Sequence, residues 1–303
     1  MWENLNQQGV ELAKSGCPIM LIPQGASSVT GEAGKVDVEI RLGFRTPETI
    51  KLEGQLEDFQ NLAQKMVDDN KDKLSKPYQV PKIYLNHQPF AHGPNLCAMT
   101  QGESGEGTIT SHINVIREAT HFNDIPLLKK IFPRENIDPI EYEQAAAIET
   151  GLHEFGHTIL SEEDDKAVKK RVGTGRIVDF LGELKAETVG MKLLEKSLPN
   201  KDESLETTKK LESQFLAKVG TICNYLANKS PKSEAGARYY YAGIAIISEL
   251  LANGAVVEKD GQYEIANPKK GIEAISKMGS DLLEKFFGNT NQNPDEIKRQ
   301  MKD

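Results

Sequence analysis

At 303 residues the chain is long enough to bury a sizeable core, as one large domain or two modest ones. Its 45 acidic against 37 basic side chains leave a net charge of −8, which argues against nucleic acid as a partner, because phosphate binding needs clustered Lys and Arg. A hydrophobic share of 38% beside 27% charged residues fits a globular protein better than a disordered chain.

The N-terminus, Met1-Trp2-Glu3-Asn4, has no basic region followed by an apolar run, so no secretory leader is expected. No stretch approaches the roughly 20 apolar residues needed to span a bilayer, so no membrane partner is expected either. Cys17, Cys97 and Cys223 are odd in number and far apart, with no CxxC pair. They build no disulfide framework, and the expected location is the cytoplasm.

Ile19 to Ile22 reads as a short strand. Val36, Val38, Ile40, Leu42 and Phe44 alternate with polar residues or glycine, the period-two pattern of a half-buried strand. Between them, Gly34-Lys35 in the Gly/Ser-rich stretch 25–34 makes no phosphate loop: Val29 stands where the first glycine belongs, and Val36 follows the lysine. Leu52, Leu56, Phe59, Leu62, Met66 and Val67 recur at helical steps and predict an amphipathic helix. Ile83 to Leu85 is another short strand. Residues 86–107, rich in Gly, Pro, Asn and Ser, read as a loop or domain boundary, and 108–116 alternates as an edge strand. Beyond Pro139 the pattern is helical over 140–162, 176–197, 205–228, 235–253 and 271–287, with Asn253-Gly254 stopping the fourth. The expected fold is α+β: a small mixed α/β part over residues 1–105 and a mainly helical part over 106–303, which carries His153-Glu154-Phe155-Gly156-His157, the two-histidine helix motif of a zincin-like catalytic domain.

The chemistry concentrates in His153-Glu154-Phe155-Gly156-His157. On a helix, residues four apart share a face, so His153 and His157 can present two imidazoles to one Zn²⁺. Glu154 then lies within reach of a water in the open coordination position, as a general base. Chance produces such a motif in about one in a hundred chains of this length. Here the apolar Ala145, Ala146, Ala147, Ile148 and Leu152 place it on a helix that packs against a core. No histidine follows His157, so the third ligand should be a carboxylate. Glu183 and Glu187, four apart beside Leu184 and Val189, are the leading pair, one to bind the ion and the other to accept a ring N–H of a ligand histidine. Glu162, Glu163, Asp164, Asp165 and Asp179 compete. Stabilising an oxyanion falls to the Arg238-Tyr239-Tyr240-Tyr241 cluster at the start of a later helix.

His153-Glu154-Phe155-Gly156-His157 followed by Glu183-Leu184-Lys185-Ala186-Glu187 resembles the dipeptidyl peptidase III family of zinc peptidases. The resemblance implies one zinc ion per chain, Glu183 as its third ligand and Glu187 as the acid behind a histidine. It implies a peptide substrate, with Asn114 in Ile113-Asn114-Val115, and an acidic side chain, holding the substrate's amino terminus. It extends over roughly residues 108–254. Typical members carry one more residue between the two histidines and a histidine where Tyr239 and Tyr240 stand here, so oxyanion stabilisation changes hands. The chain is also much shorter than typical members.

Three functions follow as expectations. The first is zinc-dependent release of dipeptides from peptide N-termini, with Arg238 and Asn114 contacting substrate. The second is a glutamate-zincin endopeptidase. The third is a non-catalytic, zinc-containing peptide-binding protein, which the presence of Glu154 disfavours, since a structural ion needs no general base.

Overall fold

A computed structural model describes residues 8–9, 11–25, 38–74, 78–88, 98–101, 108–160, 164, 167, 176–198 and 205–288. Strand β1 (Ile19–Gly25) pairs antiparallel with β2 (Val38–Phe44), Ile19 opposite Phe44. Met20 is buried with Ala13 and Tyr84 beneath this ribbon. Helix α1 (Pro47–Asp68) starts at a reciprocal cap, in which Thr46 and Thr49 each accept the other's backbone N–H. Its buried stripe includes Leu52, Leu56, Phe59, Met66 and Val67, the predicted set except Leu62, which is half-buried. Glu53, buried on the same helix, pairs with Arg45 and accepts the Leu85 N–H at 2.8 Å. That carboxylate ties α1 to strand β3 (Lys82–Asn86).

The segment around residue 108 departs from its alternating pattern. Strand β5 (Thr108–His112) is the centre of a three-stranded sheet, parallel to β3 and antiparallel to β4 (Ala98–Gln101), and not an edge. Ile109, Thr110, Ser111 and His112 are all buried, so period-two alternation did not report a solvent face. The chain leaves the sheet at His112 and turns helical: α2 (Ile113–Ala119), a π turn (Thr120–Asp124) and α3 (Ile125–Ile131). Ile113 and Ile116 are buried at a three-residue step, which serves a helix as well as a strand. Strand β4 lies inside the stretch expected to be loop; residues 89–97 and 102–107 of that stretch are outside the described residues.

Helix α4 (Pro139–His157) is capped by Asp138, whose side chain accepts from Ile140 N and Glu141 N. It stops at His157, not at 162. Around it lie α5 (Arg176–Ser197), α6 (Leu205–Asn228), α7 (Glu234–Ala252) and α8 (Pro268–Gly288), within a residue of the predicted bounds apart from the earlier start of α8. Asn267 accepts from Lys270 N and Pro268 opens that helix, adding its first turn. A hairpin unread in the sequence, β6 (Val256–Lys259) with β7 (Gln262–Ile265), turns on Asp260 and Gly261 with φ of 56° and 74°. Asp-Gly is a favoured pair for a tight hairpin turn.

Helix α5 is the axis of the domain, packed against α4, α7 and α8. Residues 183–191 are all buried, which leaves α5 no solvent face through that stretch. One apolar core runs from Leu52 to Leu283, so α1 shares it with the helices after Pro139. Among the described residues no helix is long and apolar enough to cross a membrane.

Asp124, in the π turn, is buried and accepts from Asn224 Nδ2 at 2.8 Å. Burial pushes its carboxyl up, from 3.8 to about 6, against the pull of that hydrogen bond. The folded chain therefore holds a proton that the unfolded chain releases, and stability falls as pH rises from about 4 through about 6. Asp124→Asn keeps an acceptor for Asn224 and removes the buried charge. It should add up to about 3 kcal/mol at pH 8 and little at pH 4, read from urea unfolding at both values; equal gains at the two pH values would contradict this.

Candidate metal centre

Helices α4 and α5 touch backbone to backbone. A Cβ on Gly156 would meet Ala186 O at 2.3 Å, and one on Gly190 would meet Leu152 O at 2.8 Å. The pairs 156/186 and 152/190 run in opposite directions, so the crossing is antiparallel. Gly156 sits between His153 and His157, and Ala186 between Glu183 and Glu187, so this contact sets two histidines against two glutamates. Lys185, itself buried, donates to His157 O at 3.3 Å and satisfies a carbonyl at the end of α4.

The two imidazoles stand edge to face, ring centres 4.6 Å apart, with their Nε2 atoms 3.0 Å apart. Glu183 Oε2 lies 3.6 Å from His153 Nε2 and 3.5 Å from His157 Nε2. It is buried, with no hydrogen-bond donor seated on it. Four donors held tetrahedrally at about 2.0–2.1 Å from a zinc ion would stand about 3.3–3.4 Å apart. Two imidazole nitrogens and one carboxylate oxygen at 3.0, 3.5 and 3.6 Å match that triangle in size and in chemistry. Among the described residues these are the three His, Cys, Asp or Glu side chains that converge closely enough to hold an ion. Asp164 and Asp179 do not join them; Glu162, Glu163 and Asp165 lie outside the described residues.

The surrounding field favours a cation. Burial pushes the His153 imidazole down, but Glu187, with Glu154 and Glu183, outweighs it and raises its pKa to about 10. Burial raises the Glu183 carboxyl, yet His157, His153 and Arg238 outweigh burial and hold it below its ordinary value. Glu187 is fully buried: its Oε1 accepts the Tyr225 hydroxyl at 2.7 Å and stands 2.9 Å from His153 Nδ1, with Lys218 on its other oxygen. Burial opposes its charge, and Lys218 and His153 nonetheless keep its carboxyl far below the ordinary range. A carboxylate behind a ligand histidine fixes the ring tautomer with Nε2 free.

The remaining expected residues divide. Glu154 is half-buried next to His153, and its charge is felt there and at Tyr239. Arg238 Nε stands 3.4 Å from Glu183 Oε1 and its guanidinium 4.8 Å over the Tyr239 ring. Burial, then the Glu183 charge, keep the Tyr239 phenol protonated well above its usual range. Tyr240, one position on and about 100° around the helix, packs edge to face against Tyr241 at 5.6 Å. Asn114 is engaged elsewhere: it donates to Gln88 O at 2.7 Å and accepts from Gln88 N at 2.8 Å, extending β3 by one strand-like pair. Lys218, Tyr225 and Glu149 were not anticipated. Phe215, Lys218 and Ile222 share one helical face by their spacing, so a lysine in an apolar stripe was the missed signal.

No protein-family model matches the chain, and no curated protein does. Among solved structures it resembles a dipeptidyl-peptidase III from Corallococcus sp. strain EGB, with a TM-score of 0.58 over 99% of this chain at 16% identity. The chain has a dipeptidyl-peptidase III-like fold. It spans 60% of the length of that structure.

The crossing makes a prediction. Gly156→Ala should cost about 1–3 kcal/mol or more in urea unfolding and weaken zinc binding, because α5 must move away. Gly182→Ala, on the facing helix α5 with open space around its Cβ, should gain up to about 1 kcal/mol and leave binding alone. Zinc affinity unchanged in Gly156→Ala would show that the contact does not set the donor spacing.

Proposed function

We propose that this chain is a zinc-dependent peptidase, and the observation that carries the reading is the convergence of His153, His157 and Glu183 with Glu154 beside them. His153, His157 and Glu183 would hold the ion; bound there, zinc acidifies a water and polarises a peptide carbonyl. Glu154 takes the proton from the attacking water and returns it to the departing amine nitrogen. Glu187 keeps the His153 ring aimed, and Arg238 braces Glu183 through its second oxygen. Tyr239, protonated and beside Glu183, is our assigned donor to the oxyanion; Tyr240 we assign to packing. We place these groups in the helical part, residues 106–303, with residues 1–105 supporting α4 through α1. The unpaired Cys17 and Cys223 fit a reducing compartment, and we keep the cytoplasmic reading.

The reaction's specificity has two versions. Dipeptide release needs a group that captures the substrate's amino terminus, and Asn114, expected in that role, has both amide atoms on Gln88. That engagement favours the endopeptidase version. Peptides with free and acetylated N-termini, digested and read by mass spectrometry, separate the two: internal cleavage of the acetylated peptide supports the endopeptidase.

The peptidase reading itself is tested by two variants. Glu154→Gln should lower turnover by about 10²–10⁴-fold and keep one zinc per chain by elemental analysis. Glu183→Ala should lose both zinc and turnover. Wild-type protein that takes up no zinc on reconstitution sinks the reading.

A further inference from the structure

Behind His153 lies a buried ionic cluster with more carboxylates than a simple ion pair requires. Lys218 is 1% exposed, and its ammonium contacts Glu187 Oε2 and Glu149 Oε1 together. Glu149 also accepts from Thr221 Oγ1 at 3.2 Å. Glu149, His153 and His157 are spaced four apart, so they stack along one face of α4. One lysine on α6 therefore joins a carboxylate of α5 to a carboxylate of α4 one turn before the first histidine. The oxygens of Glu187 are divided between these partners: Oε1 faces His153 Nδ1 and the Tyr225 hydroxyl, Oε2 faces Lys218.

That division has a chemical consequence. A carboxylate with no solvent exposure keeps its charge only where a cation and hydrogen bonds replace water. Tyr225 and Lys218 together set the plane of the Glu187 carboxyl, and the plane sets where a donating ring N–H can sit. The ring then presents Nε2, and not Nδ1, to the other two donors. We propose that Lys218 is a positioning residue of the metal centre: it holds Glu187 against His153 so that the Nε2 lone pair points at the ion. This rests on the zinc reading of His153, His157 and Glu183.

The test compares purified full-length wild type, Lys218→Met, Tyr225→Phe and the double variant Lys218→Met/Glu149→Leu. Zn²⁺ affinity is read by competition with a chromophoric chelator, ligand geometry by the visible absorption of the Co²⁺-substituted protein, and stability by urea unfolding without metal. Lys218→Met should bind zinc about 10–100-fold more weakly and shift the Co²⁺ bands. Tyr225→Phe should do the same to a smaller degree. The double variant removes one charge of each sign, so it should unfold at the wild-type midpoint while still binding weakly. If Lys218→Met does not fold, Tyr225→Phe and the double variant decide the matter. Wild-type affinity and spectrum in Lys218→Met, or recovery of both in the double variant, would make Lys218 a support of the fold alone and overturn the proposal. Wild type that binds no zinc overturns the metal reading and this inference with it, and is recognised because the variants then have no reference affinity to fall from.

Discussion

The close crossing of α4 and α5 at Gly156 and Ala186 governs the rest of the molecule. Helices ordinarily pack with axes about 8–10 Å apart, a distance set by the side chains at the contact. Here one contact residue has no side chain and the other has a methyl group, so main chain meets main chain. The polar residues sit at matching offsets, three before and one after the contact residue on each helix. Any widening would separate the imidazoles from the glutamates in direct proportion, because all four side chains reach across the same gap. Glycine at 156 is thus required by space, whereas its cost to helix propensity is about 1 kcal/mol.

The same crossing explains why α5 is so polar and yet so buried. Glu183, Lys185, Glu187 and Thr188 lie in its buried stretch, flanked by Leu184, Ala186 and Val189. Each polar group has a specific partner: Lys185 bonds the end of α4, Thr188 bonds Leu184 O at 2.7 Å, and the two glutamates meet the histidines. Buried ionic groups of this kind are weak sources of stability, since desolvation consumes much of their attraction. The apolar core from Leu52 to Leu283 offsets that cost, and Gly279 of α8 packs against Thr188 O to cover the far side.

Much of the architecture was legible because it is helical. Periodicity and end signals located α1 and the five helices after Pro139, with α4 ending early at His157 where Thr158 and Lys185 close it. The strands were harder. β5 is buried on both faces, so its alternation carried no directional information, and the continuation through Ile113 to Ile116 suited a helix equally well. The β6–β7 hairpin had its Asp260-Gly261 turn in plain view, between strands of only four residues. At the site, His153, Glu154, His157 and the Glu183–Glu187 pair were legible because their spacing alone places them on common faces. Lys218 and Tyr225 were not, since they act across helices. Asn114, a residue type that suits substrate, has both amide atoms on the main chain of Gln88, a pairing that its sequence neighbours do not announce.

Fold likeness at 16% identity over 60% of a longer chain carries no chemistry by itself; beside the convergence of the three donors, their exposure supports the proposed catalysis. The side chain of Glu183 is 6% exposed and that of His153 12%, whereas that of His157 is 34% exposed. The donor triangle is therefore sealed on the Glu187 side and open beside His157. A structural zinc ion takes four protein donors and is closed on all sides, while a catalytic one keeps a position for water and substrate. Glu154, next to His153 in the chain, is half-exposed, so its charge escapes the cost of a buried carboxylate without a partner. A general base must reach both the attacking water and the departing amine, so it has to face the open side of the site, whereas a ligand must not be displaced by solvent. The gradient from Glu187 through His153 to His157 and Glu154 meets both demands, and a purely structural site would need neither.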